Sequence, residues 1–220
     1  MADKQAKAAL FDAFASVASA LASGRRAEIV DLLAQGDRSV EEIAAETGRS
    51  MAATSHHLRV LAKSGLARSR RDGRRIFYGL ASDRVSEMWA AVRDVASRHV
   101  AEFDVLADDY LGSRSEIEQV TASELAERLT QGSVVLLDVR PAPEFVAGHI
   151  AGARSAPLDV LDDVAGTLPR GHVVAYCRGP YCVYADDAVR LLQARGIKAR
   201  RLDVGFPEWQ RAGLPVEAAA

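Results

Sequence analysis

Residues 173–192, VVAYCRGPYCVYADDAVRLL, decide how the C-terminal half of this 220-residue chain folds. An apolar, β-branched run ends at Tyr176, and a pattern with helical spacing begins near Val183. Between them lie the only two cysteines in the chain, Cys177 and Cys182. The stretch therefore predicts a strand, a short loop and a helix, with both thiols in the loop.

The residues around this stretch continue the alternation of helix and strand. From Thr121 onward the patterns predict a helix in ASELAERLTQG, a strand in VVLLDV, a turn with a short helix, the strand HVVAYC, a helix and the strand KARRLDV. Strands that alternate with helices indicate an α/β domain with a largely parallel sheet covered on both faces. We assign this domain to residues 121–220 and the polar, aperiodic residues 112–120 to a linker.

Residues 1–111 follow a different pattern, which is mainly α-helical. Ser39 and Glu42 form a capping-box pattern, and Gly48 ends the helix that they start. A further helix spans residues 50–64, and Asp72-Gly73 marks the turn of a β-hairpin over residues 66–80. Apolar residues from Val85 to Leu106 recur on one face and predict a single long helix. This order predicts a winged helix-turn-helix domain for DNA binding and dimerisation.

The helix over residues 50–64 is expected to enter the major groove of double-stranded operator DNA. The side chains expected to face the DNA from this helix are Ser50, Thr54, Ser55, His56, His57 and Arg59. The hairpin adds a local excess of positive charge suited to phosphate contacts. Its cations are Arg68, Arg70, Arg71, Arg74 and Arg75, against the single acid Asp72.

SHHLRVLAKSGL (55–66) and RRDGRRIFYGL (70–80) make the N-terminal half similar to the ArsR family of bacterial repressors. The resemblance implies a homodimer in which the first and last helices of this half pack across the two-fold axis. Many members sense metals, but residues 1–176 contain no cysteine, and the last helix offers only Asp94, His99 and Glu102. Because Zn²⁺ needs about four ligands, we expect no metal site in this half.

The loop after the strand has the features of an anion site. Successive backbone N–H groups and the positive end of a helix dipole are expected to converge inside it. A cysteine at its first position is therefore expected to have a lowered pKa and a favoured thiolate. The expected cradle for the anionic sulfur consists of Arg178, Gly179, Pro180, Tyr181 and Val183.

Residues 121–217 resemble a rhodanese domain, with the most specific matches in LLDVRPAPEFVAGHIAGARSAPL (136–158) and YCRGPYC (176–182). The resemblance implies that Cys177 accepts sulfane sulfur from a donor as a persulfide and passes it to a low-molecular-weight thiol. We expect no cofactor and no metal. It also implies that Asp138, Arg140 and Glu144 are structural rather than catalytic.

Cys182 stands where many rhodaneses carry Arg, Thr or Ser, and two interpretations stay open. It either packs as a small apolar side chain or acts as a resolving thiol that attacks a modified Cys177 and closes a bridge. Two thiols could also bind arsenite, although two thiolates are an incomplete site for a soft metal.

Together the two halves predict a transcriptional regulator, a probable repressor, whose operator binding responds to sulfane sulfur or thiol redox state. The alternative is a working sulfurtransferase carried on a DNA-binding dimer. The N-terminus lacks the apolar run of a signal peptide, and no stretch approaches the ~20 apolar residues of a membrane span. We therefore expect a cytoplasmic protein with no membrane partner.

Overall fold

The chain forms two compact units, Met1–Asp94 and Val95–Ala220, in a computed structural model that describes residues 3–168 and 171–218. The outer ends of the two predicted domains, residues 1 and 220, lie outside the described residues. The boundary between the two units falls after Asp94. The segment predicted as a linker, residues 112–120, therefore lies inside the second unit.

The first unit is a winged helix-turn-helix, as the sequence predicted. Its elements are α1 (Lys4–Leu21), α2 (Gly24–Leu33), β1 (Arg38–Ser39), α3 (Val40–Glu46), α4 (Met51–Lys63), β2 (Ala67–Asp72), β3 (Arg75–Leu80) and α5 (Asp83–His99). The strands form an antiparallel sheet in the order β1-β3-β2. The division between the units falls within α5.

Local capping and turn chemistry set the ends of these elements. The Ser39 side chain accepts a hydrogen bond from the Glu42 N–H at 3.2 Å, and the Glu42 carboxylate accepts one from the Ser39 N–H at 2.9 Å. Gly73 supplies the positive φ of 57° that the hairpin turn requires. Buried apolar side chains, including Ile29, Ile43 and Leu58, then pack α2, α3 and α4 into one core.

The predicted single helix from Val85 to Leu106 is wrong, because the chain turns between two helices. Helix α5 ends at His99, and α6 spans Phe103–Leu111. The Phe103 N–H bonds the Val100 carbonyl three residues back, and the Phe103 ring meets Tyr181 edge-on with centroids 5.4 Å apart. The apolar spacing continues across the break, so periodicity alone did not reveal it.

The second unit is the predicted α/β domain. After α6, its elements are β4 (Gln119–Val120), α7 (Ala122–Thr130), β5 (Val134–Asp138), α8 (Ala142–Ala147), β6 (His149–Ile150), β7 (Arg154–Ser155), α9 (Leu161–Ala165), β8 (His172–Tyr176), α10 (Tyr184–Ala194), β9 (Ala199–Leu202), α11 (Phe206–Arg211) and β10 (Val216–Glu217). Five strands pair in parallel in the order β4-β9-β8-β5-β7. β10 and β6 form a separate antiparallel pair.

Alternation along the central strands gives the sheet a core on each face. Val173 and Ala175 of β8 pack on one face with α10, where Cys177 joins the same apolar cluster. Val174 and Tyr176 point to the other face and pack with Trp209 of α11. The loop after β8 therefore starts from a strand that is fixed on both sides.

No single helix in the described ranges 3–168 and 171–218 is both long enough and apolar enough to cross a membrane. Helices α1 and α2 together reach the length and composition of a span, but they bend by 86° at their junction.

Candidate functional site

The two thiols lie together at the carboxyl end of β8. Cys177 follows the strand directly and is only 1% exposed, whereas Cys182 is half-buried. The Cys177 thiol points toward the carbonyl oxygens of Cys182 and Gly179, at 3.7 and 3.9 Å from its sulfur. Both cysteines are free thiols. The loop thus brings the predicted reactive pair into one pocket of the fold.

The two cysteines differ in how readily they ionise. Burial raises the pKa of Cys177, and the neighbouring Cys182 raises it further. A hydrogen bond from the Cys177 thiol lowers the pKa of Cys182, helped by the backbone N–H groups of Tyr184 and Arg178. The expectation of a lowered pKa at Cys177 is therefore corrected, because burial raises the pKa of this thiol and it is the pKa of Cys182 that is lowered.

The Arg178 guanidinium, predicted as part of the sulfur cradle, binds a carboxylate outside the loop. Its Nε donates to both carboxylate oxygens of the buried Glu144, at 2.9 and 3.1 Å, and the group lies 5.2 Å from the Tyr184 ring centre. Glu144 thus fixes the side chain that starts the loop. Arg178 reaches the sulfur through its backbone N–H and through its charge, both of which lower the pKa of Cys182.

Two arginines that the sequence analysis missed hold the outer side of the loop. Arg201 of β9 donates to the carbonyls of Gly179 and Pro180 at 3.1 and 3.0 Å. Arg114 of the linker segment donates to the carbonyls of Pro180 and Cys182 at 2.7 and 3.2 Å. Because both guanidinium groups bind loop carbonyls, Arg114 and Arg201 hold the backbone of the loop in place.

The Asp186 carboxylate pairs with both of these guanidinium groups. It is fully buried in the first turn of α10, where Arg114 Nε donates to it at 2.7 Å and Arg201 Nε lies 2.9 Å away. A buried carboxylate shared by two arginines satisfies the rule that buried charges are paired. No local motif in the sequence marks Arg114 or Arg201, since their partners are 72 and about 15 positions away.

The loop rests against Gly205, which leads into α11. The Phe206 N–H donates to the Cys177 carbonyl at 3.2 Å. A Cβ at Gly205 would lie 2.3 Å from the Gly179 nitrogen and 2.4 Å from the Arg178 carbonyl carbon. Only glycine lets the two backbones approach this closely.

A buried ion pair braces the strand end beside the loop. Arg140 Nε donates to Asp138 at 2.9 Å, and Arg140 Nη2 donates to the Gly148 carbonyl at 2.7 Å. The Tyr176 hydroxyl donates to Asp138 and accepts from the Ile150 N–H. These contacts join β5 and β8 to the turns that follow them, which is a structural role.

Across residues 3–168 and 171–218, no group of three or more His, Cys, Asp and Glu side chains is placed to hold a metal ion.

The recognition helix α4 separates the predicted DNA-facing residues into two groups. Thr54 is fully buried on the face that carries Leu58 and Leu61, so its predicted DNA contact is wrong. Its spacing of four and seven residues from those leucines places it on the core face. The Thr54 hydroxyl has no hydrogen-bond partner among the described residues.

The other predicted residues of α4 lie on its outer side. Ser50, His56 and Arg59 are exposed, and Ser55 is partly exposed. Ser50 also caps the helix by accepting a hydrogen bond from the Ala53 N–H at 3.3 Å. Partial burial, with nearby positive charge, lowers the pKa of His57, so this ring is neutral at neutral pH.

The hairpin, or wing, keeps all five predicted arginines exposed, but they differ in how they are paired. Arg68 donates to both oxygens of Asp37, at 3.0 and 3.1 Å, and Arg70 lies 3.5 Å from the same carboxylate. Arg71 donates to the Gly73 carbonyl at 3.2 Å. Arg74 and Arg75, at the tip, pair with no acid in the described parts of the chain and can meet a phosphate without losing a partner.

Comparisons with known proteins agree with both units. Residues 23–69 match the family described as "Bacterial regulatory protein, arsR family", and residues 121–212 match "Rhodanese-like domain". The HTH-type transcriptional regulator Rv0324 of Mycobacterium tuberculosis is 46% identical over 215 residues, which cover 97% of this chain and 94% of that protein. The uncharacterised HTH-type transcriptional regulator Rv0081 of the same organism is 32% identical over 90 residues, or 40% of this chain and 79% of that protein.

Solved structures match each half separately. The homodimeric winged helix-turn-helix DNA-binding domain Mb0332 of Mycobacterium bovis is 44% identical, covering 46% of this chain and 93% of that chain with a TM-score of 0.43. A rhodanese-related protein of Thermoplasma volcanium is 25% identical, covering 46% of this chain and 97% of that chain with a TM-score of 0.41. Since a 46%-identical regulator aligns along nearly its whole length, this chain belongs to the ArsR family of bacterial transcriptional regulators and carries a rhodanese-like domain.

Proposed function

We propose that this regulator represses transcription from an operator. We further propose that its operator affinity changes when a sulfane-sulfur donor oxidises Cys177 and Cys182 to a disulfide bridge. The observation that carries the proposal is the placement of two free thiols in one loop, where the Cys177 sulfur lies 3.7 Å from the Cys182 carbonyl oxygen and a hydrogen bond from Cys177 lowers the pKa of Cys182. A nucleophile beside its own base is a common arrangement for covalent chemistry.

The first step uses Cys182 as the base for Cys177. The Cys177 sulfur attacks the terminal sulfur of a polysulfide donor while its proton passes to the Cys182 thiolate. The donor's S–S bond breaks, and the electron pair leaves with the shortened donor. Cys177 then carries the persulfide, whose anionic outer sulfur is stabilised by the backbone N–H groups of the loop.

The second step closes the bridge. Cys182 attacks the Cys177 Sγ, and its proton goes to the outer sulfur, which leaves as hydrosulfide. The two thiols are thereby oxidised to a disulfide, and the sulfane sulfur is reduced. The sulfur donor is thus the oxidant, and the reaction needs no cofactor.

We propose that the regulator works in the cytoplasm as a homodimer on double-stranded DNA. Support comes from apolar side chains that α1 leaves in solvent, with Phe11 58% and Phe14 61% exposed. Val92 of α5 is also exposed. Trp89 of α5 does not belong to this exposed apolar surface, because its ring N–H donates to Asp31 at 2.7 Å and the side chain packs within the first unit. If Phe14→Glu leaves the dimer intact by light scattering, α1 is not the interface.

The operator response is tested with a duplex selected from a random-sequence pool by the reduced protein. Fluorescence anisotropy at fixed salt compares reduced and polysulfide-treated protein, because phosphate contacts make affinity salt-dependent. We expect a change of about tenfold, equivalent to ~1.4 kcal/mol of coupling. Cys177→Ser and Cys182→Ser are the matched controls and should not respond. Equal affinities of the two wild-type samples would contradict the proposal.

A working sulfurtransferase is the second candidate, favoured by the rhodanese-like match over residues 121–212. The two candidates differ in turnover. A sulfurtransferase moves many sulfur atoms per chain from thiosulfate to an acceptor thiol, whereas the proposed switch consumes one sulfur per bridge. Steady-state sulfur transfer that Cys177→Ser abolishes would favour the enzyme.

A further inference from the structure

The sulfur loop is tied to the segment that leads back to the DNA-binding half. Arg114 lies three residues after α6 and places all of its donors on the loop or on the buried Asp186 beneath it. The neighbouring Ser113 carbonyl accepts a hydrogen bond from Arg190 of α10 at 2.9 Å. At the other end of α6, Phe103 packs against Tyr181 of the loop.

We propose that Arg114 is a positioning residue that releases the linker segment when the loop takes up sulfur, and so passes the state of the thiols to α6 and the DNA-binding half. This inference rests on the proposed function, because it supplies the coupling that the proposed function requires.

The Cys177 side chain has little free space around it. It lies in a packed cluster and is 1% exposed, so neither the outer sulfur of a persulfide nor a bond to Cys182 can form unless its neighbours move. The nearest neighbours are the carbonyl groups of Gly179 and Cys182, toward which the thiol points. Those are carbonyls that Arg201 and Arg114 hold from outside.

The two arginines are not held equally firmly. Arg201 is 2% exposed, and its strand β9 is paired on both edges. Arg114 is 19% exposed in side chain and sits in an irregular segment between α6 and β4. A displaced loop therefore breaks the Arg114 contacts first. Because α6 continues the chain from α5, the loosened segment reaches the DNA-binding half along the polypeptide itself.

The test compares full-length Arg114→Lys with Arg195→Lys. Lysine keeps the charge but carries its donors on one nitrogen, so it cannot reproduce the planar fork with which three Arg114 nitrogens reach two carbonyls and a carboxylate. Arg195 pairs with Asp162 on the surface of the same unit, away from the loop, and is the matched control. Because its linker segment is already released, we expect reduced Arg114→Lys to bind the selected duplex with the affinity of the bridged wild type, and to form the bridge in full yield. Its affinity change on polysulfide treatment should fall from about tenfold to less than about twofold.

Hydrogen exchange gives a readout that does not depend on DNA. The Ile117 N–H is bonded to the Arg114 carbonyl at 3.0 Å within the linker segment. We expect exchange in residues 113–117 to speed up in wild type on bridge formation, and to be fast already in reduced Arg114→Lys. Unchanged exchange in the bridged wild type, or a full DNA response in Arg114→Lys, would overturn the inference. If the linker loosens but wild-type DNA affinity stays constant, the proposed function fails and the release mechanism stands.

Discussion

Replacing Gly205 by alanine should disturb the sulfur loop directly, because the added methyl group meets its backbone. The added Cβ would lie 2.3 Å from the Gly179 nitrogen, 2.4 Å from the Arg178 carbonyl carbon and 2.5 Å from its oxygen. All three are backbone atoms, so no side chain can rotate away. Overpacking of this kind costs about 1–3 kcal/mol, and we expect the upper half of that range because the loop must shift as a whole.

The assay is urea unfolding followed by tryptophan fluorescence. The chain has two tryptophans, Trp89 in the first unit and Trp209 in the second, so a Trp89→Phe background reports on the second unit alone. Trp209 is buried in α11, directly after the substituted position. With a typical urea slope of about 2 kcal/mol/M, the midpoint should fall by about 1 M.

Gly171→Ala is the matched control for this substitution. Its Cβ would meet nothing within 4 Å, and Gly171 belongs to the same unit. We expect its free energy of unfolding to stay within about 0.5 kcal/mol of that of the parent, as for most surface substitutions. A Gly205→Ala midpoint equal to that of Gly171→Ala would show that the loop does not rest on Gly205, and the geometry argued above would be wrong.

Three further predictions address the thiols and the DNA-binding surface. At neutral pH, iodoacetamide should modify Cys182 before Cys177, because burial raises the pKa of Cys177 while the hydrogen bond from Cys177 lowers that of Cys182. Peptide mass spectrometry of the wild type that finds Cys177 modified first would contradict this order. Cys177→Ala removes the hydrogen bond, so the pKa of Cys182 should rise and the curve of its alkylation rate against pH should move to higher pH. Arg74→Gln should lower the salt slope of DNA binding by about 1, whereas Arg68→Gln, whose cation is already paired, should change it less; equal slopes would refute the distinction. Thr54→Val should leave operator affinity unchanged and raise stability by up to about 1 kcal/mol, because the buried hydroxyl lacks a partner; weaker DNA binding would return Thr54 to the DNA surface.

Much of the fold could be predicted because its signals are local. The capping box at Ser39, the turn at Gly73 and the strand that ends at Tyr176 each act within a few residues. The break before Phe103 has no such local signal, and the ring that Phe103 meets there, Tyr181, is far along the chain. Helical spacing continued through the break and concealed it.

The candidate site was predictable in its members but not in its electrostatics. The loop motif identified Cys177 and Cys182, whereas their order of ionisation depends on burial and on which thiol donates to the other. The guanidinium groups of Arg114 and Arg201 reach the loop only after folding. Thr54 was misplaced although its spacing from Leu58 and Leu61 puts it on the core face, because the expected DNA contacts were taken from the whole first half of the helix.

The central claim is that the bond between Cys177 and Cys182 changes operator affinity. It is tested most directly by adding polysulfide in small steps to the full-length protein at fixed salt, and by measuring two quantities in each sample. Intact-protein mass spectrometry gives the fraction of chains with the bridge, and anisotropy gives the affinity for the selected duplex. The account predicts that the affinity changes in proportion to the bridged fraction and that dithiothreitol reverses both. A protein that is fully bridged with unchanged affinity, or a Cys182→Ser variant that still responds, would contradict it.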